Sequence, residues 1–185
     1  MIKGGDVGTD DSRSGIRIRT ATKADARLLT DLGAHLFQQT FGPANSAENM
    51  EMYLAGAFSD SMQSAELSDA NRTAWIAFDD AGAAIGYAMA RRGSRADGVV
   101  FRRPMELQRI YVDAKWHGAG VGQMLMNVCI DAARSRQCDG VWLCVWQSNA
   151  RAVAFYTRVG FRVVGAATFP LGRDLQADHV MALAF

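Results

Sequence analysis

The sequence lacks the features that would place the protein in a membrane, on nucleic acid or around a metal ion. It contains no uninterrupted apolar run of roughly eighteen residues, the length that a membrane-spanning helix needs. Its 20 basic and 19 acidic residues leave a formal net charge of +1, so no overall field would attract nucleic acid or an anionic membrane. Its three histidines and three cysteines show no metal-ligand spacing. We therefore expect no nucleic-acid partner, no membrane partner and no metal.

The N-terminal residues lack the apolar segment of a secretory signal. They are rich in Gly, Asp and Ser, a composition that predicts a disordered tail over 1–15. Residues 16–185 are then long enough for a single domain with a substantial core. The odd number of cysteines predicts reduced thiols and a cytoplasmic location. The surroundings of Cys129, on a helix face, and Cys144, in an apolar strand, favour buried small hydrophobic residues over nucleophiles.

One stretch, from Glu106 to Gln123, joins a strand, a glycine loop and a helix with almost nothing between them. Residues 107–112 are apolar and partly β-branched or aromatic, which is typical of a strand. Three glycines follow within 118–122, and from Val121 the apolar residues recur with the spacing of one helix face. Such a turn directs free backbone N–H groups and a helix N-terminus at one point, which favours an anion.

The spacing of the glycines excludes two common phosphate loops. The dinucleotide pattern G-x-G-x-x-G fails because Gln123 stands where the third glycine belongs, and the P-loop pattern fails because no lysine follows the glycines. What remains, H-G-A-G-V-G, also fits a plain tight turn between a strand and a helix. The loop alone therefore leaves both interpretations open.

A second block downstream makes the pattern more specific. Residues 149–161 read N-A-R-A-V-A-F-Y-T-R-V-G-F and follow a strand-like run over 141–146. Together with the glycine loop, this block resembles the GNAT family of acetyltransferases over roughly residues 16–185, and within that family the spermidine/spermine N-acetyltransferase-like bacterial branch. Gly120 and Gly122 match the family's pyrophosphate loop, whereas His117 stands where the family usually has Gln or Arg.

The hydrophobic patterns predict the secondary structure along the domain. The predicted strands cover 16–19, 73–78, 83–91, 107–112, 141–146, 161–168 and 178–185. The predicted helices cover about 22–41, 46–58, 121–137 and 149–160, with a short helical piece over 60–68. The arginine-rich segment 92–103 fits either a solvated loop or a substrate-contacting basic patch.

The resemblance implies an α/β fold (an α+β mixed sheet) with about seven strands and about four helices. The two central parallel strands would splay apart, and the pantetheine of acetyl-CoA would insert between them like an extra strand. The residues that the resemblance assigns to this cosubstrate are Ile110, Tyr111, Val112, His117, Gly118, Ala119, Gly120, Val121, Gly122, Gln123, Asn149 and Tyr156.

The resemblance also implies an N-acetyltransferase in which an amine attacks acetyl-CoA directly in a ternary complex. Glu106 matches the position where family members place a carboxylate base, acting directly or through water, and its alternative is an exposed residue at a strand end. Tyr156 matches the general acid that protonates the departing thiolate, and its alternative is an aromatic residue packed in the core.

The acceptor is less specified than the chemistry. A polyamine or another small amine fits the resemblance, with Phe37, Phe41 and Trp146 as candidate acceptor-contacting residues. A protein or peptide amine is an alternative, and so is a non-catalytic module that senses acetyl-CoA. The resemblance leaves a homodimer open as the assembly.

Overall fold

The computed structural model describes Asp10–Asp11 and residues 15–185 of the chain. Its strands are β1 (Asp10–Asp11), β2 (Ile16–Thr20), β3 (Arg72–Phe78), β4 (Ala84–Arg92), β5 (Pro104–Val112), β6 (Gly140–Trp146), β7 (Arg162–Leu171) and β8 (Asp174–Ala184). Its α-helices are α1 (Ala26–Phe41), α2 (Ala47–Ala57), α3 (Asp60–Ser68), α4 (Val121–Ser135) and α5 (Ala150–Val159).

All described strands belong to one mixed sheet in the order β1-β2-β3-β4-β5-β6-β8-β7. Its neighbouring strands are antiparallel except for the central pair β5 and β6, which run parallel. The predicted fold class and the predicted parallel pair are therefore confirmed. In the described residues, the sheet has seven longer strands and the two-residue strand β1.

The central strands separate soon after they meet. β5 pairs with β6 only through Pro104–Gly140, Met105–Val141 and Glu106–Trp142. Beyond Glu106, β5 stays paired with β4 on its other side, and β6 stays paired with β8. A register shift between Met89 and Ala90 of β4 leaves Gln108 without an opposite residue, and such a bulge bends the strand. A gap therefore opens between the second halves of β5 and β6.

The two faces of the sheet carry separate parts of the core. On one face, α4 buries an apolar stripe against the central strands, with Val121, Leu125 and Cys129 fully buried. On the opposite face, α1 buries Leu29 and Leu36 against Ile76 of β3 and Tyr87 of β4. Burial of a leucine of this kind contributes about 1.5–3 kcal/mol. The helices thus fix both walls of the gap between β5 and β6.

Several element bounds differ from the sequence prediction. The segment 60–68 forms a full helix, which brings the described α-helices to five instead of about four. β5 begins at Pro104, and β7 and β8 extend to a tight turn at Gly172, so that Asp178 lies in the middle of β8 rather than at its start. Aromatic and β-branched spacing locates a strand but does not fix where its pairing ends.

The N-terminal tail is mostly outside the described residues. Of the predicted disordered segment 1–15, residues 1–9 and 12–14 lie outside them, and Asp10–Asp11 pair with Arg17 and Ile16 of β2. Among the residues that the structure does describe, no helix combines the length and the apolar character needed to cross a membrane.

The arginine-rich loop between β4 and β5 packs against the part of the sheet where β5 and β6 are still paired. Arg95 donates to the carbonyl oxygens of Phe101 and Arg102, and Asp139 accepts the backbone N–H groups of Arg102 and Arg103 at 2.7 and 2.9 Å. The loop buries Val99 beside Trp142. These contacts favour the interpretation as a loop held to the protein surface over that of a substrate-contacting patch.

Candidate active site

A cavity of about 1050 Å³ occupies the gap between β5 and β6 and continues onto the face covered by α1 and α2. Its lining includes residues of β5, β6 and β8, the loop before α4, and α5. The unpaired edges of β5 and β6 open into it, so backbone groups of Ile110 to Val112 face a space wide enough for an extended chain.

The glycine loop forms the first end of this cavity. Gly118 and Gly120 have φ angles of 88° and 85°, which residues other than glycine rarely adopt. Gly120 caps α4, and the first helical bond runs from the N–H of Met124 to the carbonyl of Gly120. The N–H groups of Val121, Gly122 and Gln123 precede that bond, so they are available to an anion at the helix N-terminus. This cradle fits a pyrophosphate.

His117 links this loop to α5. Its Nε2 lies 2.9 Å from the carbonyl oxygen of Val112, and its Nδ1 contacts the guanidinium of Arg151. A carbonyl only accepts and a guanidinium only donates, so Nε2 carries the proton and Nδ1 accepts from Arg151. Burial and the nearby Arg151 charge lower the pKa of His117, partly offset by the hydrogen bond to Val112. The neutral imidazole therefore holds a cationic side chain beside the phosphate cradle.

Helix α5 places its N-cap residue Asn149 and, two turns further on, Tyr156 at the cavity. Asn149 caps the helix, since its Oδ1 accepts the N–H of Ala152 at 3.1 Å. Tyr156 is 8% exposed, lies between the rings of Phe155 and Phe161, and still lines the cavity. Burial raises the pKa of its hydroxyl well above the ordinary value. The phenol therefore keeps its proton at neutral pH.

Glu106 lies on β5 at the point where the two central strands part. Both Nε and Nη2 of Arg91 donate to its Oε2, at 3.0 and 2.8 Å. The side chain is 15% exposed and lines the cavity. Arg91 thus fixes one carboxylate oxygen of Glu106 and leaves Oε1 for other partners.

A second carboxylate, Asp178, reaches the cavity from β8 and is not among the site residues predicted from the sequence. Asp178 is 6% exposed and stands directly opposite Trp146 of β6. Its Oδ1 is buried and has no hydrogen-bond partner among the described residues. Burial, opposed slightly by the neighbouring His179, raises its pKa to about 6. A lone Asp in a strand pattern carries no periodic signal, so only the sheet register could have located it.

Cys144 lies between the two carboxylates along β6, and here the prediction of a buried cysteine is wrong. Its side chain is exposed into the cavity because the neighbouring strand β5 has already turned away. The cavity walls around the sulfur partly desolvate it, and this effect, together with the charges of Asp178 and Glu106, raises the pKa of the thiol to about 11. The thiol is therefore a weak nucleophile at neutral pH.

Aromatic side chains form another part of the cavity wall. Phe41 of α1 packs against Phe37 at 4.5 Å and against Trp146 at 6.3 Å between ring centroids. Tyr111 of β5 meets the edges of both phenylalanines. The three predicted acceptor-contacting residues, Phe37, Phe41 and Trp146, therefore line one continuous aromatic surface of the cavity.

The structure brings nearly all predicted site residues to one cavity. Both predicted catalytic residues line it, as do the predicted cosubstrate residues of β5, the glycine loop and α5. Ala119 is the exception: it is exposed in the loop and outside the cavity lining. In the part of the chain that the structure describes, His, Cys, Asp and Glu residues do not gather in threes in a metal-binding arrangement.

The family model and the relatives that match this chain are all N-acetyltransferases or acetyltransferases. A model of the acetyltransferase (GNAT) family matches residues 34–161. An uncharacterised N-acetyltransferase of Mycobacterium tuberculosis is 32% identical over 157 residues, which are 85% of this chain and 96% of that protein. A spermine/spermidine N(1)-acetyltransferase of Bacillus subtilis is 28% identical over 64 residues, which are 34% of this chain and 42% of that protein.

Solved structures share the architecture. The crystal structure of a PaiA N-acetyltransferase from Thermoplasma acidophilum, in complex with coenzyme A, superposes with a TM-score of 0.73 at 20% sequence identity. The match covers 92% of this chain and 99% of that one. This similarity shows that the two proteins have the same fold.

Proposed function

The chain belongs to the acetyltransferase (GNAT) family, and from this membership we propose that it acetylates small, positively charged primary amines. It is an acetyl-CoA-dependent N-acetyltransferase, as its family and its relatives are. The class of the acceptor is the new element of the proposal. A polyamine belongs to this class, and the short match to the Bacillus subtilis enzyme supports that choice.

The observation that carries the proposal is the negative charge of the cavity lining around Glu106, Asp178 and Trp146. We call this part of the cavity the acceptor end. Glu106 and Asp178 provide two carboxylates there, and the one arginine of β5 that lines the cavity, Arg109, is already bound by Glu66 at 2.6 and 3.0 Å. The rings of Phe41 and Trp146, which are less buried than Phe37, add faces that attract cations. Carboxylates and aromatic rings in one cavity suit an ammonium group and repel an anionic acceptor.

We assign the cosubstrate to the first end of the same cavity. The N–H groups at the start of α4 hold the pyrophosphate, with Arg151 beside them, and backbone groups of Ile110 to Val112 pair with the pantetheine amides. One such N–H also stabilises the negative charge that develops on the thioester oxygen.

Two side chains, Glu106 and Tyr156, carry out the proton transfers of the proposed reaction. Glu106 accepts a proton from the attacking nitrogen, directly or through water, and Tyr156 donates its phenolic proton to the departing sulfur. The raised pKa of Cys144 argues against an acyl-cysteine intermediate, which supports direct transfer.

A screen of acceptors tests the proposal. Purified protein with acetyl-CoA is offered spermidine, 1,4-diaminobutane, n-butylamine, an amino acid and a short peptide with a free N-terminus, and free thiol is measured. We expect turnover with the polycationic and simple amines. Turnover with the peptide alone would instead assign the protein to peptide or protein acetylation.

A further inference from the structure

Two side chains of the cavity lining, Asp178 and Gln108, have a buried oxygen without a hydrogen-bond partner among the described residues, and only Asp178 is ionisable. It lies in the middle of β8, where a pleated strand paired on both sides would ordinarily carry an apolar residue. Its Oδ1 is buried without a partner among the described residues, while the residue as a whole lines the cavity. Burying an unpaired carboxylate is unfavourable, so the fold gains no stability from this residue. Its position favours a role that begins when a cation enters.

The two carboxylates of the acceptor end differ in what already binds them. Glu106 has one oxygen fixed by two hydrogen bonds from Arg91. Asp178 forms no ion pair within the described residues, and its neighbour in register is the aromatic Trp146. An incoming ammonium group therefore meets one carboxylate that is already neutralised in part and one that is not.

We propose that Asp178 binds the ammonium group of the acceptor and accepts the first of the two protons that its nitrogen loses. The proposal rests on the proposed function, since it needs a cationic amine in this cavity. Proton transfer to Asp178 leaves a neutral amine, whose lone pair attacks the thioester carbonyl carbon and forms the C–N bond. The nitrogen then loses its second proton to Glu106 or its water.

The remaining steps balance the reaction. The C–S bond breaks, the sulfur takes the bonding pair, and Tyr156 protonates it. The proton held at Glu106 restores Tyr156, and Asp178 releases its proton to solvent. The ammonium form of the amine and acetyl-CoA thus give the acetamide, the free thiol and one proton. The amine nitrogen loses two protons in succession, and the two carboxylates, Asp178 and Glu106, each accept one of them.

The surroundings of Asp178 suit a group that changes charge near neutral pH. Cys144, two residues before Trp146 on β6, is close enough to interact with Asp178, and His179 follows Asp178 on β8. Burial is the main cause that raises its pKa to about 6. A carboxylate with this proton affinity takes a proton from an ammonium group more readily than an ordinary aspartate does.

The test compares Asp178→Asn, Glu106→Gln and the exposed control Asp131→Asn on α4, with n-butylamine and 1,4-diaminobutane as acceptors. For each protein, kcat/KM for the amine is measured from pH 5 to 9, together with Tm and the Kd for acetyl-CoA. We expect Asp178→Asn to lose about a hundredfold in kcat/KM at pH 8, within the range for one general base. It should keep the wild-type Kd for acetyl-CoA and lose the acidic limb of the profile near pH 6.

The outcomes separate the two proposals. Glu106→Gln should keep the limb near pH 6, and Asp131→Asn should match the wild type throughout. A folded Asp178→Asn with wild-type kcat/KM and an unchanged acidic limb would overturn the role of Asp178 while leaving the proposed function intact. If the wild type acetylates neither amine but does acetylate the peptide, the proposed function fails, and the role of Asp178 fails with it.

Discussion

At the glycine-loop end of the cavity the groups available to a ligand are backbone N–H groups, whereas around Glu106, Asp178 and Trp146 they are side-chain carboxylates and an aromatic ring. The first end depends on a left-handed glycine at position 120 and on the direction of α4. The second depends on the register that places Asp178 opposite Trp146. A backbone site recognises what all cosubstrates of this kind share, and a side-chain site recognises one class of acceptor.

The largest effect is expected for Tyr156→Phe, because Tyr156 is the proposed general acid and lines the cavity that both ends share. Turnover should fall about ten- to a thousandfold, since one general acid is lost while the ring still packs against Phe161. The Kd for acetyl-CoA and the Tm should change little. Steady-state thiol release and thermal melting on the same preparation measure both quantities.

Tyr87→Phe is the matched control for this variant. Tyr87 is fully buried under α1, and its hydroxyl has no partner among the described residues. Its removal should leave turnover unchanged and raise the Tm slightly, because an unsatisfied hydroxyl is removed. Equal turnover losses in the two variants would indicate core packing rather than acid catalysis at Tyr156.

The backbone end is tested by Gly120→Val against Gly82→Val. Both glycines have positive φ, 85° and 80°, and a Cβ at either position would meet open space. The strain is thus similar, but Gly120 alone caps the phosphate cradle. Gly120→Val should weaken acetyl-CoA binding about ten- to a hundredfold, the effect of losing one hydrogen bond to a charged group.

Calorimetry on both folded variants measures this difference. Gly82→Val, in the turn between β3 and β4, should bind acetyl-CoA as the wild type does. Similar losses in both variants would mean that the effect comes from general destabilisation, and no loss in either would remove the loop from phosphate binding.

Much of the backbone end could be predicted from the sequence, and the carboxylate end could not. Glycine spacing and helix periodicity are local, so Gly120 and the start of α4 follow from neighbouring residues. Asp178 is 72 residues from Glu106 along the chain, and only the pairing of β8 with β6 brings it to the site. The exposure of Cys144 is unpredictable from the sequence for the same reason, because it depends on where β5 separates from β6.

The stability of Asp178→Asn gives a further measure of the carboxylate end, independent of turnover. A carboxyl whose folded pKa is raised from 3.8 to about 6 makes its stabilising contribution below pH 3.8 and loses it as pH rises through 6. Above pH 6 the charged Asp178 lowers the free energy of unfolding by roughly 3 kcal/mol, because each tenfold change in proton affinity corresponds to about 1.36 kcal/mol.

The asparagine variant should therefore be more stable than the wild type at pH 8, by up to about 3 kcal/mol. The difference should shrink towards pH 4.5. Urea unfolding of both proteins across this range gives the two free energies. A variant less stable than the wild type at pH 8 would show that Asp178 has a stabilising partner.

The most direct test of a cation-binding acceptor end is a charge series of acceptors of one length: 1,4-diaminobutane, n-butylamine and 4-aminobutanoate. All three present the same primary amine on a four-carbon chain, with a second positive charge, no charge or a negative charge at the far end. Because the two carboxylates give this part of the cavity a negative charge, kcat/KM should fall in the order given, by about tenfold or more from first to last, or at least 1.4 kcal/mol. Equal values for the three, or a preference for 4-aminobutanoate, would contradict the account.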